Sequence, residues 1–459
     1  MSKIVYSSYQ ISYAGDLDVY FEYKNSVVFT SPKTSDRGEN NITIINKSCL
    51  NDHSGIHEQT RYSRSDILSI QGILSFFSGI AITVYENISS ATSINPIKYK
   101  KKNTHLIIDG LHHTSDLKKI LIKVEEEPQL MISLLDRWRK SVYLLEESTD
   151  ANLYFDEATL GFFHIFEIFG EKNSPELKSK LDKDIQLFLS TYYENYYLTN
   201  DQKKDKITEN LKTFKNLLIG NHLTLSVKIK DFLKKNDMLD DNVAFFIDSM
   251  IKIRNAIAHG RITYQEKFIW PLSPFFNLSK DSYQNINFLY ILSAKMISAY
   301  AGINRWDNEW HTEKQNLLPP LNTLVSFLVN PHSFKHSISK EALFQGNEYN
   351  ITWVTIFNHY VKNAKKIPIK TLEMGLKEYF ISTNLNEDNA SDIFNISIIF
   401  SDSEDIEIKG KAIENIKSTI NKGWHRWGNF KDAYSYLEFY NLPPVWYKQF
   451  LDNLSYKSY

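Results

Sequence analysis

The sequence predicts an α+β protein. A β-rich amino-terminal domain occupies residues 1–125, an all-α helical bundle 126–320, and a mixed, mainly helical carboxy-terminal region 321–459. Three observations carry this. Up to about residue 125, β-branched and aromatic residues recur in short runs separated by polar turn clusters, the texture of strands. From Glu125-Glu126-Glu127-Pro128 onward, apolar residues return every three or four positions, as one helix face requires. The chain is 459 residues long, against roughly 100 to 200 residues for one domain, so a single small fold is excluded.

In order along the chain, Val19-Tyr20-Phe21-Glu22-Tyr23 and Ile42-Thr43-Ile44-Ile45 read as strands, with polar loops over 34–41 and 51–55. The longest uncharged run, residues 67–85, is interrupted by Ser69, Gln71, Gly72, Ser75, Ser78, Gly79 and Thr83. It reads as a buried helix ending near Gly79 and running into a strand over 81–85, not as a membrane span. Leu130, Leu134, Leu135, Trp138, Val142 and Leu145 line one face of a helix whose first turn suits Pro128. Further helices are expected over 156–169, closed by Gly170, then over 185–197 and 207–218. Asp240-Asp241 suit the cap of a helix carrying Val243, Phe246, Ile247, Met250 and Ile257, which Gly260 stops. A helix over 286–303 completes an antiparallel bundle. Beyond Pro319-Pro320 an exposed loop is expected over 384–391. Trp424, Trp427, Tyr434, Tyr436, Tyr440 and Trp446 are expected to build a packed core rather than a base-stacking platform.

Composition narrows function by exclusion. With 42% hydrophobic and 14% aromatic residues the chain can bury a sizeable core, so wholesale disorder is excluded. Lysine plus arginine at 53 against aspartate plus glutamate at 54 leaves a net charge of −1, so any contact with nucleic acid must be local. The single cysteine, Cys49, cannot close an intrachain disulfide, and the first residues carry no apolar signal core, so a cytoplasmic address is expected, with no membrane partner. No phosphate-binding loop, dinucleotide turn or nucleophile elbow is present. Thirteen histidines invite a metal site, but His53 and His57 are expected in a loop and the His112-His113 pair lacks companions at ligand spacing, so neither metal nor cofactor is expected. His164 and Glu167, one helical turn apart, form a candidate accessory pair inside the bundle. Lys98, Lys100, Lys101 and Lys102, with Tyr99 interleaved, form the densest basic run, and Lys234-Lys235 a second; Lys100, Lys101 and Lys102 are the candidate substrate-binding cations.

The informative segment is Arg254-Asn255-Ala256-Ile257-Ala258-His259-Gly260 at the end of a strongly apolar helix. Arginine supplies a permanently charged planar fork matched to a phosphodiester. Histidine moves protons near neutrality, and the carbonyl-rich last turn of a helix favours its protonated form. Nine arginines and thirteen histidines in 459 residues give about 0.25 chance pairs at any one spacing; requiring asparagine after the arginine and glycine after the histidine lowers this to about 0.01. Arg305 and His311 are a decoy, because Trp306 stands where a small polar residue is expected.

These residues resemble the Arg-polar-x-x-x-His motif of HEPN domains, over a helical block spanning about 128–310. The nearest group is the ApeA-like anti-phage HEPN ribonucleases, in which the HEPN region follows an amino-terminal sensing domain. The stretch beyond Pro320 departs from that layout. The resemblance implies a HEPN-type bundle and a metal-independent endoribonuclease, in which the ribose 2′-hydroxyl attacks the adjacent phosphorus and leaves a 2′,3′-cyclic phosphate. On that reading Arg254 neutralises the phosphate, His259 moves protons and Asn255 orients the histidine or the scissile group. The implied partners are an RNA substrate, a second copy that completes a composite site through the motif helix, and a phage-derived trigger. The alternative is a catalytically silent HEPN dimer serving as a binding or regulatory scaffold.

Overall fold

The computed structural model describes residues 2–13, 15–31, 40–51, 56–84, 87–146, 154–260, 282–334, 338–424 and 430–455. It divides into two units, Met1–Asn236 with Gln284–Trp310, and Asp237–Tyr283 with His311–Tyr459.

The first unit opens with seven strands: β1 (Ser2–Tyr13), β2 (Leu17–Tyr23), β3 (Ser26–Ser31), β4 (Asn40–Asn51), β5 (Asn87–Ser93), β6 (His105–Ile108) and β7 (Leu111–His112). They form one antiparallel sheet in the order β5-β1-β4-β3-β2-β6-β7. Its longest ladder pairs β1 with β4 from Ser2 opposite Asn51 to Tyr13 opposite Asn40. In β2, Leu17, Val19, Phe21 and Tyr23 are buried while Asp18 and Glu22 are exposed, the two-residue period of a strand, interrupted only at Tyr20, which is buried as well. The α+β architecture read from the sequence is therefore present: a β-sheet at the front of a mostly helical chain.

One helix, α1 (Ile56–Ser78), follows β4 and buries Ile70, Ile73, Phe76 and Phe77. Of the polar residues that interrupt its apolar run, Ser69, Gln71 and Ser75 are buried, and the two serines are hydrogen-bonded. Ser69 Oγ donates to the Ser65 carbonyl at 2.9 Å, and Ser75 Oγ accepts the Ile82 N–H at 2.8 Å. Among the described residues no helix is long and apolar enough to cross a membrane. The strand expected over 81–85 does not form over 81–84, and Tyr85 lies outside the described residues. The Ala81 N–H donates to the Glu146 carboxylate at 2.9 Å, so side chains take the donors that a ladder would need.

Helices α2 (Thr114–Glu126), α3 (Pro128–Glu146), α4 (Phe155–Glu194), α5 (Asn200–His222) and α6 (Leu225–Lys235) continue this unit, with α7 (Asp241–Ala258) belonging to the other and α8 (Ser282–Ala301) returning to the first. Pro128 opens α3, as expected. Helix α4 corrects the expectation of a stop at Gly170: it runs 40 residues, through Gly170 and Pro175. Gly170 is buried there because a side chain would press on α6, its Cβ falling 3.3 Å from that of Lys228. A glycine in a helix thus marks a close crossing as readily as an end. Around Trp138, rings of Phe76, Tyr290 and Trp306 pack at 5.2–5.5 Å, and the Trp306 indole donates to the Phe76 carbonyl at 3.1 Å.

The second unit takes α7 together with α10 (Leu321–Val329), α11 (Ala342–Gln345), α12 (Trp353–Asn363), α13 (Ile369–Ile381), α14 (Glu387–Phe400), α15 (Ile406–Lys422), α16 (Phe430–Phe439) and α17 (Val445–Ser455); the division falls inside α9 (Asp307–Lys314). Trp353, Leu372, Phe380, Phe394, Ile416 and Tyr447 lie at the centre of its core. Tyr436 is buried in that core and Tyr434, Tyr440 and Trp446 pack against it, while Trp427 lies outside the described residues. The exposed loop expected over 384–391 is corrected. Asn386 and Asn389 form a reciprocal capping box that starts α14, and Ala390 and Ser391 are already buried. The units also cut across the expected segments, because α7 shares its unit with the carboxy-terminal helices rather than with α3 to α6.

Candidate functional site

Helix α7 is set at its start by Asp240, whose side chain accepts the Val243 N–H at 2.9 Å and whose other oxygen lies 2.6 Å from Lys314 Nζ. Its buried residues include Val243, Phe246, Ile247, Met250, Ile253 and Ile257, at the three- and four-residue spacing of one face. His359, buried in α12, packs its ring 6.1 Å from that of Phe245. Its Nε2 bonds the Pro319 carbonyl at 2.5 Å and its Nδ1 lies 3.1 Å from Asn363 Nδ2. The carbonyl only accepts and the amide nitrogen only donates, so the ring is the neutral Nε2–H tautomer. Burial lowers its proton affinity in the same direction. Sequence reasoning did not single out His359; its place at i−4 from Asn363 was visible, but its neighbour on α7 was not.

The helix ends at the motif. Arg254 and Asn255 are half-buried, and Arg254 Nη1 donates to Asn255 Oδ1 at 3.0 Å, so the amide steadies the guanidinium next to it. His259 is the exposed C-cap, with φ −94° and ψ 8°, and its N–H still donates to the Asn255 carbonyl at 3.1 Å. Gly260 follows with φ +60°, a left-handed turn that only glycine adopts without strain, and its N–H donates to the Ile257 carbonyl at 3.0 Å. The result is a cation held just before the last turn and an exposed imidazole at the helix end. That pair can bind an anionic group and exchange protons with it. Residues 261–281, directly after the motif, lie outside the described residues.

The other candidates lie in the first unit. His164 and Glu167 are half-buried on α4, and His164 Nδ1 stands 3.3 Å from Arg137 Nη1 of α3. Lys98, Lys100, Lys101 and Lys102 are exposed ahead of β6, but Lys101 pairs with Glu22 at 3.2 Å and Lys102 reaches Asp18 at 3.9 Å. The Glu22 carboxyl is held below its ordinary range by the Tyr20 hydroxyl and then by Lys101. Tyr99 stacks on Phe29 at 5.9 Å, so the aromatic within the basic run is engaged by the sheet. Lys235 pairs with Glu176 at 3.0 Å and Asp231 at 3.1 Å. The decoy arginine is structural: Arg305 Nε donates to the Phe77 carbonyl at 3.1 Å and its guanidinium lies 4.0 Å from the Trp306 ring centre. His113 is half-buried against Phe77, and burial followed by the Arg305 charge lowers its proton affinity. Among the described residues no group of three or more His, Cys, Asp or Glu side chains is placed to hold a metal; His53 lies outside them, and His57 belongs to α1 rather than to a loop.

The motif is therefore the site with the clearest chemistry, and its reading rests on these residues alone. Comparison with protein-family models, curated proteins and solved structures gives no match for this chain.

Proposed function

We propose that the chain is a metal-independent endoribonuclease of HEPN type, active as a homodimer and serving in bacterial anti-phage defence. The observation that carries the reading is the end of α7, where Arg254 is steadied by Asn255 and His259 stands exposed beside the Gly260 turn. Cleavage by the ribose 2′-hydroxyl needs a base to take its proton, an acid to protonate the 5′-oxygen that leaves, and positive charge on the phosphate oxygens. One copy supplies one His259. Two copies related by a two-fold axis supply both proton-transfer groups and two Arg254 cations. The 2′-oxygen forms a new bond to phosphorus, the bond to the 5′-oxygen breaks, and the products are a 2′,3′-cyclic phosphate and a 5′-hydroxyl. The sheet domain is the place proposed for sensing a phage-derived trigger.

The test is incubation of the full chain with single-stranded and structured RNA in EDTA, alongside Arg254→Ala and His259→Ala. Expected are cyclic-phosphate ends with wild type and their loss in both variants, with unchanged thermal unfolding. Equal cleavage by all three proteins overturns the site. RNA binding without cleavage by the wild type favours the scaffold reading.

A further inference from the structure

The sheet has two apolar faces. Strand alternation puts Val19, Phe21, Val28 and Ile44 on one, each fully buried. Tyr20, Val27 and Ile45 fall on the other, where they form a separate buried cluster with Tyr6, Phe29 and Ile97 packed against it. An apolar surface of that kind needs a cover. The strand order supplies one. β5 and β6 follow each other in sequence but stand five places apart in the sheet, so residues 94–104 have to cross β1, β4, β3 and β2. Five steps of about 4.8 Å make about 24 Å, and eleven residues reach at most about 40 Å, enough to cross the face and to lift from it.

The crossing runs over the second face. Ile97 packs on the cluster, Tyr99 stacks on Phe29 at 5.9 Å, Lys101 pairs with Glu22 at 3.2 Å and Lys102 with Asp18 at 3.9 Å. Asp18, Glu22 and Phe29 share that face with Tyr20 and Val27. Among the described residues no backbone–backbone hydrogen bond ties 94–104 to the sheet, and the segment is neither helix nor strand. Side chains alone hold it down. The Lys101 side chain is 77% exposed and that of Glu22 44%, so the pair is open to water. Pairs of this kind hold weakly, and a segment without backbone bonds opens ahead of the sheet beneath it.

We infer that residues 94–104 are a releasable strap, latched by Lys101 on Glu22 and Lys102 on Asp18, whose opening bares the second apolar face while the sheet stays folded. The basic run then serves as a latch within its own domain, with two of its four lysines engaged by carboxylates of β2. The device goes beyond the proposed nuclease site, because it needs neither Arg254 nor His259.

The experiment is limited chymotrypsin digestion of the full chain, with the cut after Tyr99 identified by the masses of its fragments. Glu22→Lys leaves the cleaved sequence as it is, and is expected to speed that cut about fivefold by setting like charges opposite each other. Lys101→Glu is expected to act likewise. The double reversal shares its cleaved sequence with Lys101→Glu, so its expected return to the slower rate reads the restored pair and not the preference of the protease. Thermal unfolding midpoints are expected to stay in place, as local opening requires. Equal cutting of wild type and Glu22→Lys, a double reversal cut as fast as Lys101→Glu, or a midpoint that falls in step with the cutting rate overturns the inference. Because a protease cut is the readout and not RNA cleavage, failure here and failure of the nuclease reading are separate results.

Discussion

At the scale of single residues, the site consists of groups whose geometry is set by one helix end. His259 is exposed and contributes no core packing, so His259→Ala is expected to lower RNA cleavage by about 10² to 10⁴ while leaving the unfolding midpoint in place. Arg254→Lys is expected to fail as a replacement, since an ammonium offers neither the planar fork nor the Asn255 contact at 3.0 Å in the same geometry. Single-turnover rates check both; a lysine variant at wild-type rate removes the proposed role of the fork. Asp240 lies at the other end of the same helix. Asp240→Ala removes a side-chain cap and the partner of Lys314, and is expected to cost about 1 kcal/mol by urea unfolding. Both helix ends were legible from residue type, because a cap acts within three residues of its own chain. The ring of His359 against Phe245 was not, because 114 positions of chain separate them and only packing brings them together.

At the scale of elements, close crossings decide where glycine is required. Gly375 on α13 meets α10: a Cβ there would collide with the Leu328 carbonyl oxygen and fall 2.8 Å from the Leu328 Cα. Backbone cannot swing aside as a side-chain tip can, so Gly375→Ala is expected to destabilise the fold by about 1–3 kcal/mol. Denaturant unfolding measures it, and an unchanged midpoint means that the two helices are not in this contact. Gly170 marks a milder approach between α4 and α6, against the side chains of Lys228 and Ile229, and the helix runs through it rather than ending there. The misread over 384–391 has a related cause. A run of Asn, Glu and Asp is compatible with a loop and with a capping box, and the choice depends on whether Ile393, Phe394 and Ile396 beyond it find a core to enter.

At the scale of the molecule, the first unit is drawn together by an ionic cluster spanning distant parts of the chain. Glu127, between α2 and α3, takes Lys172 of α4, the Tyr300 hydroxyl of α8 at 2.6 Å and Lys123 at 2.9 Å. Lys172, then Tyr300 and Lys123, hold its carboxyl down to about 2 from an ordinary value of 4.5. A carboxyl lowered in the folded state stabilises that state fully above its unfolded value. The contribution fades as pH falls from about 4.5 towards about 2. Glu127→Gln is therefore expected to flatten the decline of melting temperature across that window. A variant whose melting temperature falls as steeply as the wild type's there shows that other carboxylates dominate acid unfolding.

The sequence by itself determined the α+β class, the helical periodicity from residue 128 onward, the caps of α7 and the triad Arg254, Asn255 and His259 at its end. All of these depend on interactions within a few positions, where spacing is a direct record of geometry. Tertiary structure alone decided that α7 shares a unit with the carboxy-terminal helices and that α4 continues through Gly170. It also decided that Lys101 and Lys102 lie against the acidic side chains of β2. Periodicity states that a face is apolar, but the surface that covers it comes from residues hundreds of positions away. Their free energy of burial appears only when the chain has folded.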